Sequence, residues 1–181
     1  MNIGYQDVLD FWFQELTPAD WFMGGERVDQ LIIDRFSLLL DSAVQGELFE
    51  WRKSAQGRLA EIIVLDQFSR NIGRNTPKAF SADPMALMLA QEAVAAGFDK
   101  ELSVQQRSFL YMPYMHSESL VIHEQAVQLF SENGVESNLE FEIKHKVIIE
   151  RFGRYPHRNE ILGRESTPEE VAFLTEPGSS F

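Results

Sequence analysis

The strongest constraint on the fold is the density of helix start signals. Four times, a residue that favours the helix N-cap stands directly before a proline, which loses no needed N–H bond at the first helical position. These pairs are Thr17–Pro18, Thr76–Pro77, Asp83–Pro84 and Thr167–Pro168. Ser137 with Glu140, and Thr167 with Glu170, fit the capping box S/T-x-x-E. Gly97 and Gly134 follow helical stretches and suit the left-handed position after a helix.

Between these signals, apolar residues recur three and four positions apart, which indicates helices with one buried face. Leu59, Ile62, Ile63 and Phe68 show this pattern in one segment. No segment alternates strictly between apolar and polar residues, so no strand is predicted. The predicted helices span about 4–16, 26–45, 54–71, 77–82, 84–96, 104–114, 118–132, 138–152 and 168–175.

Short connections between most of these helices favour antiparallel neighbours. We therefore predict an all-α fold of stacked antiparallel helical hairpins, with a weak similarity to tetratricopeptide repeats. The 181 residues contain no linker, and this length suits one domain, so residues 1–181 are predicted to form a single helical domain.

Charge and composition exclude several classes of function. The chain has 16 basic and 28 acidic residues, a formal net charge of −12, which argues against binding of DNA or RNA. It has no cysteine, so disulfides, cysteine nucleophiles and thiolate zinc sites are excluded. The longest apolar run is too short to cross a membrane, and the N-terminus lacks a basic region before its apolar stretch. We therefore expect a cytoplasmic protein that binds neither nucleic acid nor membranes.

Positive charge is concentrated in two segments of this acidic chain. Segment 66–78 carries three cations against one acid, and segment 144–164 carries six against two, so the rest of the chain holds a net −18. If the two segments meet in space, their side chains form an electropositive pocket for a small anion. The residues predicted to bind this ligand are Arg70, Arg74, Arg154, Arg158 and Tyr155.

A purely structural role is the competing interpretation of these charges. Asp66 and Arg70 are four residues apart and can pair along one helix. The arginines of the second segment can bind carbonyl groups at the ends of neighbouring helices.

The candidate catalytic residues are two histidines, His116 and His157, with two acids, Asp66 and Glu118. An imidazole beside a carboxylate is suited to acid–base chemistry. Direct or one-water contact within an open cleft would favour an enzyme, whereas a sealed site would favour a structural network. Glu142 and His145 have the spacing of a di-iron ligand pair, but no second pair exists, so we expect a surface contact. No metal or cofactor is predicted.

Three consecutive aromatic residues, Phe11, Trp12 and Phe13, stand near the start of the chain. Successive helical residues turn by about 100°, so the three side chains cannot share one face. Either the helix is covered on all sides, with Trp21 and Phe22 folded over it, or an aromatic ring is exposed to a protein partner or a second copy of the chain.

Three strings of residues identify a resemblance. They are DQFSRN at 66–71, MPYMHSES at 112–119 and FGRYPHRN at 152–159. With these strings the whole chain resembles an uncharacterised, mainly bacterial family known only as domain of unknown function nine-twenty-four. The resemblance implies an all-helical, tetratricopeptide-like fold and no established activity.

Three functions follow from these observations. The leading hypothesis is a helical module that binds a small anion or an acidic peptide terminus in the Arg/His-lined pocket. The second is an enzyme with a His–carboxylate acid–base pair in the same pocket. The third is a helical scaffold for protein partners.

Overall fold

The computed structural model of the chain describes residues 3–181, and every regular element in this range is helical. The all-α prediction is confirmed. The α-helices are α1 (Tyr5–Asp10), α2 (Pro18–Met23), α3 (Gly25–Val44), α4 (Ala55–Ile63), α5 (Ser69–Ile72), α6 (Lys78–Ser81), α7 (Asp83–Ala95), α8 (Val104–Met115), α9 (Leu120–Asn133), α10 (Glu136–Phe152), α11 (Asn159–Leu162) and α12 (Pro168–Phe173). Three 3₁₀ segments, Phe49–Lys53, Phe98–Glu101 and Pro156–Arg158, and two π-helical turns, Phe11–Glu15 and Val64–Phe68, complete the list.

The central element is α4, which continues through the second π turn into α5. The helix α4 packs against α1, α7 and α8, and the π turn and α5 pack against α3. The run from Ile62 to Leu65 is fully buried, which explains why it is apolar on all sides. The π turn contains Asp66, so this acid is carried into the interior by the most buried helix of the fold.

The N-terminal aromatic residues pack inside the chain. Phe11 and Trp12 are each 1 % exposed, and Phe13 is half-buried. Their rings contact Phe68 and Phe109. This packing corresponds to the interpretation in which the helix is covered on all sides, and it leaves no ring of Phe11 or Trp12 for a partner. Trp21 covers Trp12 as expected, but Phe22 is exposed instead of folding over the helix.

The helix boundaries confirm some start signals and correct others. Thr167 and Glu170 form the predicted capping box: Thr167 N donates to Glu170 Oε2 (2.8 Å) and Glu170 N donates to Thr167 Oγ1 (3.2 Å). Gly97 and Gly134 adopt the predicted left-handed conformation. The box predicted at Ser137 is wrong, because α10 begins at Glu136, two residues before the predicted helix start, and Val135 occupies its N-cap.

The C-terminal segment folds back over the turn between α8 and α9. Tyr155, which is fully buried, donates from Oη to Met115 O (2.6 Å), and its backbone N–H donates to Glu118 Oε1 (2.8 Å). Segment 152–164 therefore lies against the turn at residues 116–119. In the described part of the chain, no helix has both the length and the apolar character needed to cross a bilayer.

Candidate functional site

An open cleft of about 470 Å³ lies where α6, the start of α7, the α8–α9 turn and α11 meet. One part of its wall is apolar and is formed by Phe80, Pro84, Leu87, Pro113 and Leu162. The other part is polar and is formed by Asp83, His116, Glu118 and Arg158. The cleft can therefore contact a small molecule that has both an apolar and a polar portion.

His116 lines the polar part of the cleft and is held from behind by Asp66. Its Nδ1 lies 2.7 Å from Asp66 Oδ1. Asp66 is 1 % exposed, so it lies behind the ring and not in the cleft. The other ring nitrogen, Nε2, has no hydrogen-bond partner among residues 3–181 and keeps solvent-accessible surface. His116 is thus held by its inner nitrogen and open at its outer one.

The protonation of this pair follows from its surroundings. Burial lowers the pKa of His116, the Arg70 guanidinium lowers it further, and the opposing effect of Asp66 is smaller. Burial alone would raise the pKa of Asp66, but His116, Arg70 and hydrogen bonds to its carboxylate hold that pKa below its usual value. At neutral pH, the pair is therefore a neutral imidazole and a carboxylate, with Nδ1–H donating to Asp66 and a lone pair on Nε2.

Arg70 binds two carboxylates and one backbone carbonyl. Its Nη1 and Nη2 donate to the two oxygens of Asp83 (2.8 and 2.9 Å), and Nη1 also donates to Asp66 O (2.8 Å) and lies 3.3 Å from Asp66 Oδ1. This bidentate pair fixes α7 to the π turn that contains Asp66.

Arg158 lies beside His116 and has fewer partners. Its Nη2 donates to the backbone carbonyl of His116 (3.0 Å), and its Nη1 lies 3.6 Å from Asp83 Oδ2, too far for a hydrogen bond. Its Nε is buried and has no partner within the described range. Arg70 and Arg158, from the two basic segments, therefore meet at Asp83.

Glu118 and Tyr155 lock the C-terminal segment onto the turn. Arg164 donates to both carboxylate oxygens of Glu118 (2.8 and 2.9 Å), and the Tyr155 N–H donates to one of them. Burial opposes ionisation of Glu118, but these donors and Arg158 hold its pKa below the usual value. Glu118 is thus an ionised structural acceptor at the edge of the cleft.

The other candidate histidine, His157, does not line the cleft. Its ring lies against Tyr155, and burial lowers its pKa to about 4. Its Nδ1 is buried without a partner in the structure as described. No hydrogen bond joins His157 to Asp66 or Glu118 among residues 3–181, so of the two predicted histidines only His116 is paired with a predicted acid.

The structure does not bring Arg74 and Arg154 into the cleft. Arg74 binds both oxygens of Asp29 on α3, and Arg154 binds both oxygens of Glu170 on α12 (2.7 and 2.8 Å). Each guanidinium forms a bidentate pair with an acid that does not line the cleft. The expectation that four arginines clamp one ligand is therefore corrected for these two, because distant acids in the sequence neutralise them.

A second His–carboxylate pair lies beneath the α8–α9 turn and was not foreseen. His123 Nδ1 lies 2.6 Å from Glu142 Oε1, and His123 Nε2 lies 2.7 Å from Ser117 O and 3.1 Å from Tyr155 Oη. Both His123 and Glu142 are fully buried. The surface contact expected between Glu142 and His145 is wrong, because His145 is also buried and its ring bonds Phe141 O.

Acidic and histidine side chains are the groups of this region that could bind a metal ion. Among the described residues, no group of three or more such side chains is arranged around a common point. The polar part of the cleft is thus a set of paired charges with two open nitrogen positions, His116 Nε2 and Arg158 Nη1.

Comparison with known proteins decides the family. The model of the family described as "Bacterial protein of unknown function (DUF924)" matches residues 8–178. The chain belongs to this family. A solved structure, that of the protein of unknown function ATU0120 from Agrobacterium tumefaciens, is 38 % identical with a TM-score of 0.90, over 94 % of this chain and 96 % of that one. No curated protein is significantly similar to the chain.

The three strings that carry the resemblance to the DUF924 family meet at the cleft. The first supplies Asp66 and Arg70, the second His116 and Glu118, and the third Arg158. Asp83, which joins the two arginines, was missed by sequence reasoning. Its place directly before Pro84 at a predicted helix start suggested only a capping role.

Proposed function

We propose that this DUF924 protein is an enzyme that uses His116 as a general base on a small substrate bound in the cleft. The observation that carries the proposal is the geometry of one side chain. His116 Nδ1 is 2.7 Å from buried Asp66, while Nε2 is unpartnered within residues 3–181 and faces the cleft.

Asp66 supports this role by orienting the ring and by balancing its charge. A carboxylate that accepts the Nδ1 proton fixes the tautomer with a lone pair on Nε2. When Nε2 takes a proton, the imidazolium forms beside an existing negative charge and is stabilised by it. Asp66 thus acts as a positioning residue and does not itself touch the substrate.

Arg158 supports the same role from the other side of the polar wall. Its guanidinium bonds the His116 carbonyl, lines the cleft and keeps Nη1 without a hydrogen bond within residues 3–181. Donors fixed near a general base stabilise negative charge that develops when a proton leaves the substrate or an attacking water. The proposed chemistry is therefore proton removal next to a carbonyl or carboxyl group, from carbon or from water.

Binding of a small anion without reaction is the second candidate, and Arg158 is the observation that favours it. Arg70 is already paired with Asp83 and Asp66, so of the four arginines predicted to bind an anion only Arg158 has no close carboxylate partner. A pure binding site does not explain why a neutral, oriented histidine stands beside that arginine, so we rank catalysis first.

Two assays test the catalytic proposal without knowledge of the natural substrate. One follows hydrolysis of p-nitrophenyl esters of short fatty acids, and the other follows exchange of α-protons of 2-oxo acids in D₂O by NMR. We expect wild-type protein to accelerate at least one reaction and His116→Gln to lose about 10²–10⁴-fold of that rate.

His145→Gln is the matched control, because it removes a histidine that does not line the cleft. It should retain the wild-type rate. Equal rates for wild type and His116→Gln, or no acceleration of either reaction by wild-type protein, would contradict the proposal.

A further inference from the structure

Arg158 is the least satisfied arginine of the cleft. A guanidinium has five N–H donors. Within residues 3–181, Arg158 makes one hydrogen bond, to the His116 carbonyl, although its side chain is only 7 % exposed. Arg70 and Arg164 lie nearby, and each makes a bidentate pair with a carboxylate.

The position of Arg158 is fixed although its donors are unused. Its guanidinium carbon lies 4.5 Å from the centre of the Phe80 ring and 4.6 Å from that of Tyr155. Two aromatic rings thus hold the cation, and its Nη1 stays 3.6 Å from Asp83, whose oxygens are already used by Arg70. Burial, and next the charge of Arg70, lower the pKa of Arg158, so an anion that bound it would relieve a desolvated cation.

The charge balance around Arg158 limits the kind of anion. Three arginines (Arg70, Arg158 and Arg164) face three carboxylates (Asp66, Asp83 and Glu118). With no excess of positive charge, the cleft has nothing to neutralise a phosphate dianion. A planar monoanion that needs only the open donors of one guanidinium fits this balance.

The apolar wall limits the rest of the ligand. Phe80, Leu87 and Leu162 line the cleft beside Arg158 and offer no polar side-chain atom. Pro84 and Pro113, which lack an N–H donor, extend the same surface. A chain of methylene groups can be buried there, whereas a sugar or a peptide with many polar groups would lose its hydrogen bonds.

We propose that the substrate is a small monocarboxylic acid with an apolar chain, whose carboxylate binds Arg158 and whose chain lies along Phe80, Leu87 and Leu162. The inference rests on the proposed function, since it names the substrate class of the same site. Arg158 bonds the backbone carbonyl of His116, so the bound carboxylate places the first carbons of the chain beside the imidazole.

The test is binding of straight-chain carboxylates, measured by isothermal titration calorimetry. The probes are butanoate, hexanoate and octanoate, with hexanamide as a neutral isostere and inorganic phosphate as a dianion. We expect affinity to rise roughly fourfold for each added methylene. We expect hexanamide to bind at least about tenfold more weakly than hexanoate, because a charged hydrogen bond is lost.

Variants locate the site. Arg158→Lys should weaken hexanoate binding toward that of hexanamide, and Arg74→Lys, which alters an arginine outside the cleft, should leave it unchanged. Arg158 is buried, so its variant can misfold. The comparison of hexanoate affinity with hexanamide affinity, measured on wild-type protein, therefore tests the inference without the variant. Equal binding of the two, absence of hexanoate binding, or tighter binding of phosphate would overturn the inference.

The same titration on His116→Gln separates this inference from the proposed function. If hexanoate binds both wild-type protein and His116→Gln and neither catalyses a reaction, the carboxylate site is supported and the general-base role is contradicted. If wild-type protein catalyses ester hydrolysis but binds hexanoate no more tightly than hexanamide, the general-base role is supported and the carboxylate site is contradicted.

Discussion

Two histidines seven residues apart each pair with a carboxylate, yet their surroundings differ completely. His116 lies 2.7 Å from Asp66 and His123 lies 2.6 Å from Glu142. The difference is in the second ring nitrogen: that of His116 opens on the cleft, and that of His123 is closed by Ser117 O. The comparison teaches that a His–carboxylate distance does not identify a catalytic pair, whereas the environment of the outer nitrogen does.

The buried pair of His123 and Glu142, called here the sealed pair, also has defined proton positions. Ser117 O can only accept, so His123 Nε2 must carry a hydrogen. The remaining contact then holds one proton, and burial, which raises the pKa of Glu142, favours its position on the carboxyl group. The buried pair is then neutral overall, as its zero exposure requires. It stabilises the turn that presents His116 and has no access to a substrate.

The largest effect that separates the two pairs is on stability. His123→Leu leaves Glu142 as a buried acid without its partner, so the free energy of unfolding should fall by about 3–5 kcal/mol in urea titration. His116→Leu should cost less, because Asp66 keeps its contact with Arg70. A larger loss for His116→Leu than for His123→Leu would reverse the assignment. The double variant His123→Leu/Glu142→Leu, which removes both polar groups, should recover part of the loss.

The second effect is on the activity that depends on the pair His116 and Asp66, whose outer ring nitrogen is open to the cleft. Asp66→Asn keeps the shape of the side chain but removes the charge that orients His116. The rate of the reaction that depends on His116 should fall by about 10²-fold. Circular dichroism should show that the variant is folded. An unchanged rate in a folded Asp66→Asn variant would show that Asp66 does not position the base.

The smallest effect is the pH dependence of the sealed pair. Burial raises the pKa of Glu142 above its usual value, so the folded state keeps a proton that the unfolded state releases. The stability that depends on this group is fully present below about pH 4.5 and is lost as pH rises through the folded pKa, by at most about 1.4 kcal/mol per pH unit. Urea unfolding between pH 4 and pH 7 should show this slope in wild type and not in Glu142→Gln. Parallel curves for the two proteins would contradict it.

The helical fold could be predicted from local signals because caps, prolines and apolar spacing act within one or two turns. Thr167 and Gly134 mark real helix ends for this reason. The π turn at Val64–Phe68 could not be predicted, since it inserts into a helix without changing the local apolar pattern. The short helices α2 and α11 were not predicted, because they contain too few residues to show a period, although Thr17–Pro18 marks the start of α2.

Several residues of the site could be predicted from the sequence, but the acid that pairs with each arginine could not. The concentration of arginines drew attention to Arg70 and Arg158, and both lie beside the cleft. The acids that neutralise the others are far away in sequence: Asp29 is 45 residues from Arg74, and Glu170 is 16 residues from Arg154. A segment that is basic in sequence need not form a basic surface in the folded protein, because folding pairs its arginines with acids from other helices.

The most direct test of the central claim is the protonation of the His116 ring. Long-range ¹H–¹⁵N NMR spectra at pH 7 report the state of each imidazole nitrogen in the folded protein. We predict that His116 carries its hydrogen on Nδ1, with Nε2 unprotonated. A His116 ring protonated on Nε2, alone or on both nitrogens, would contradict the claim that this nitrogen serves as a base.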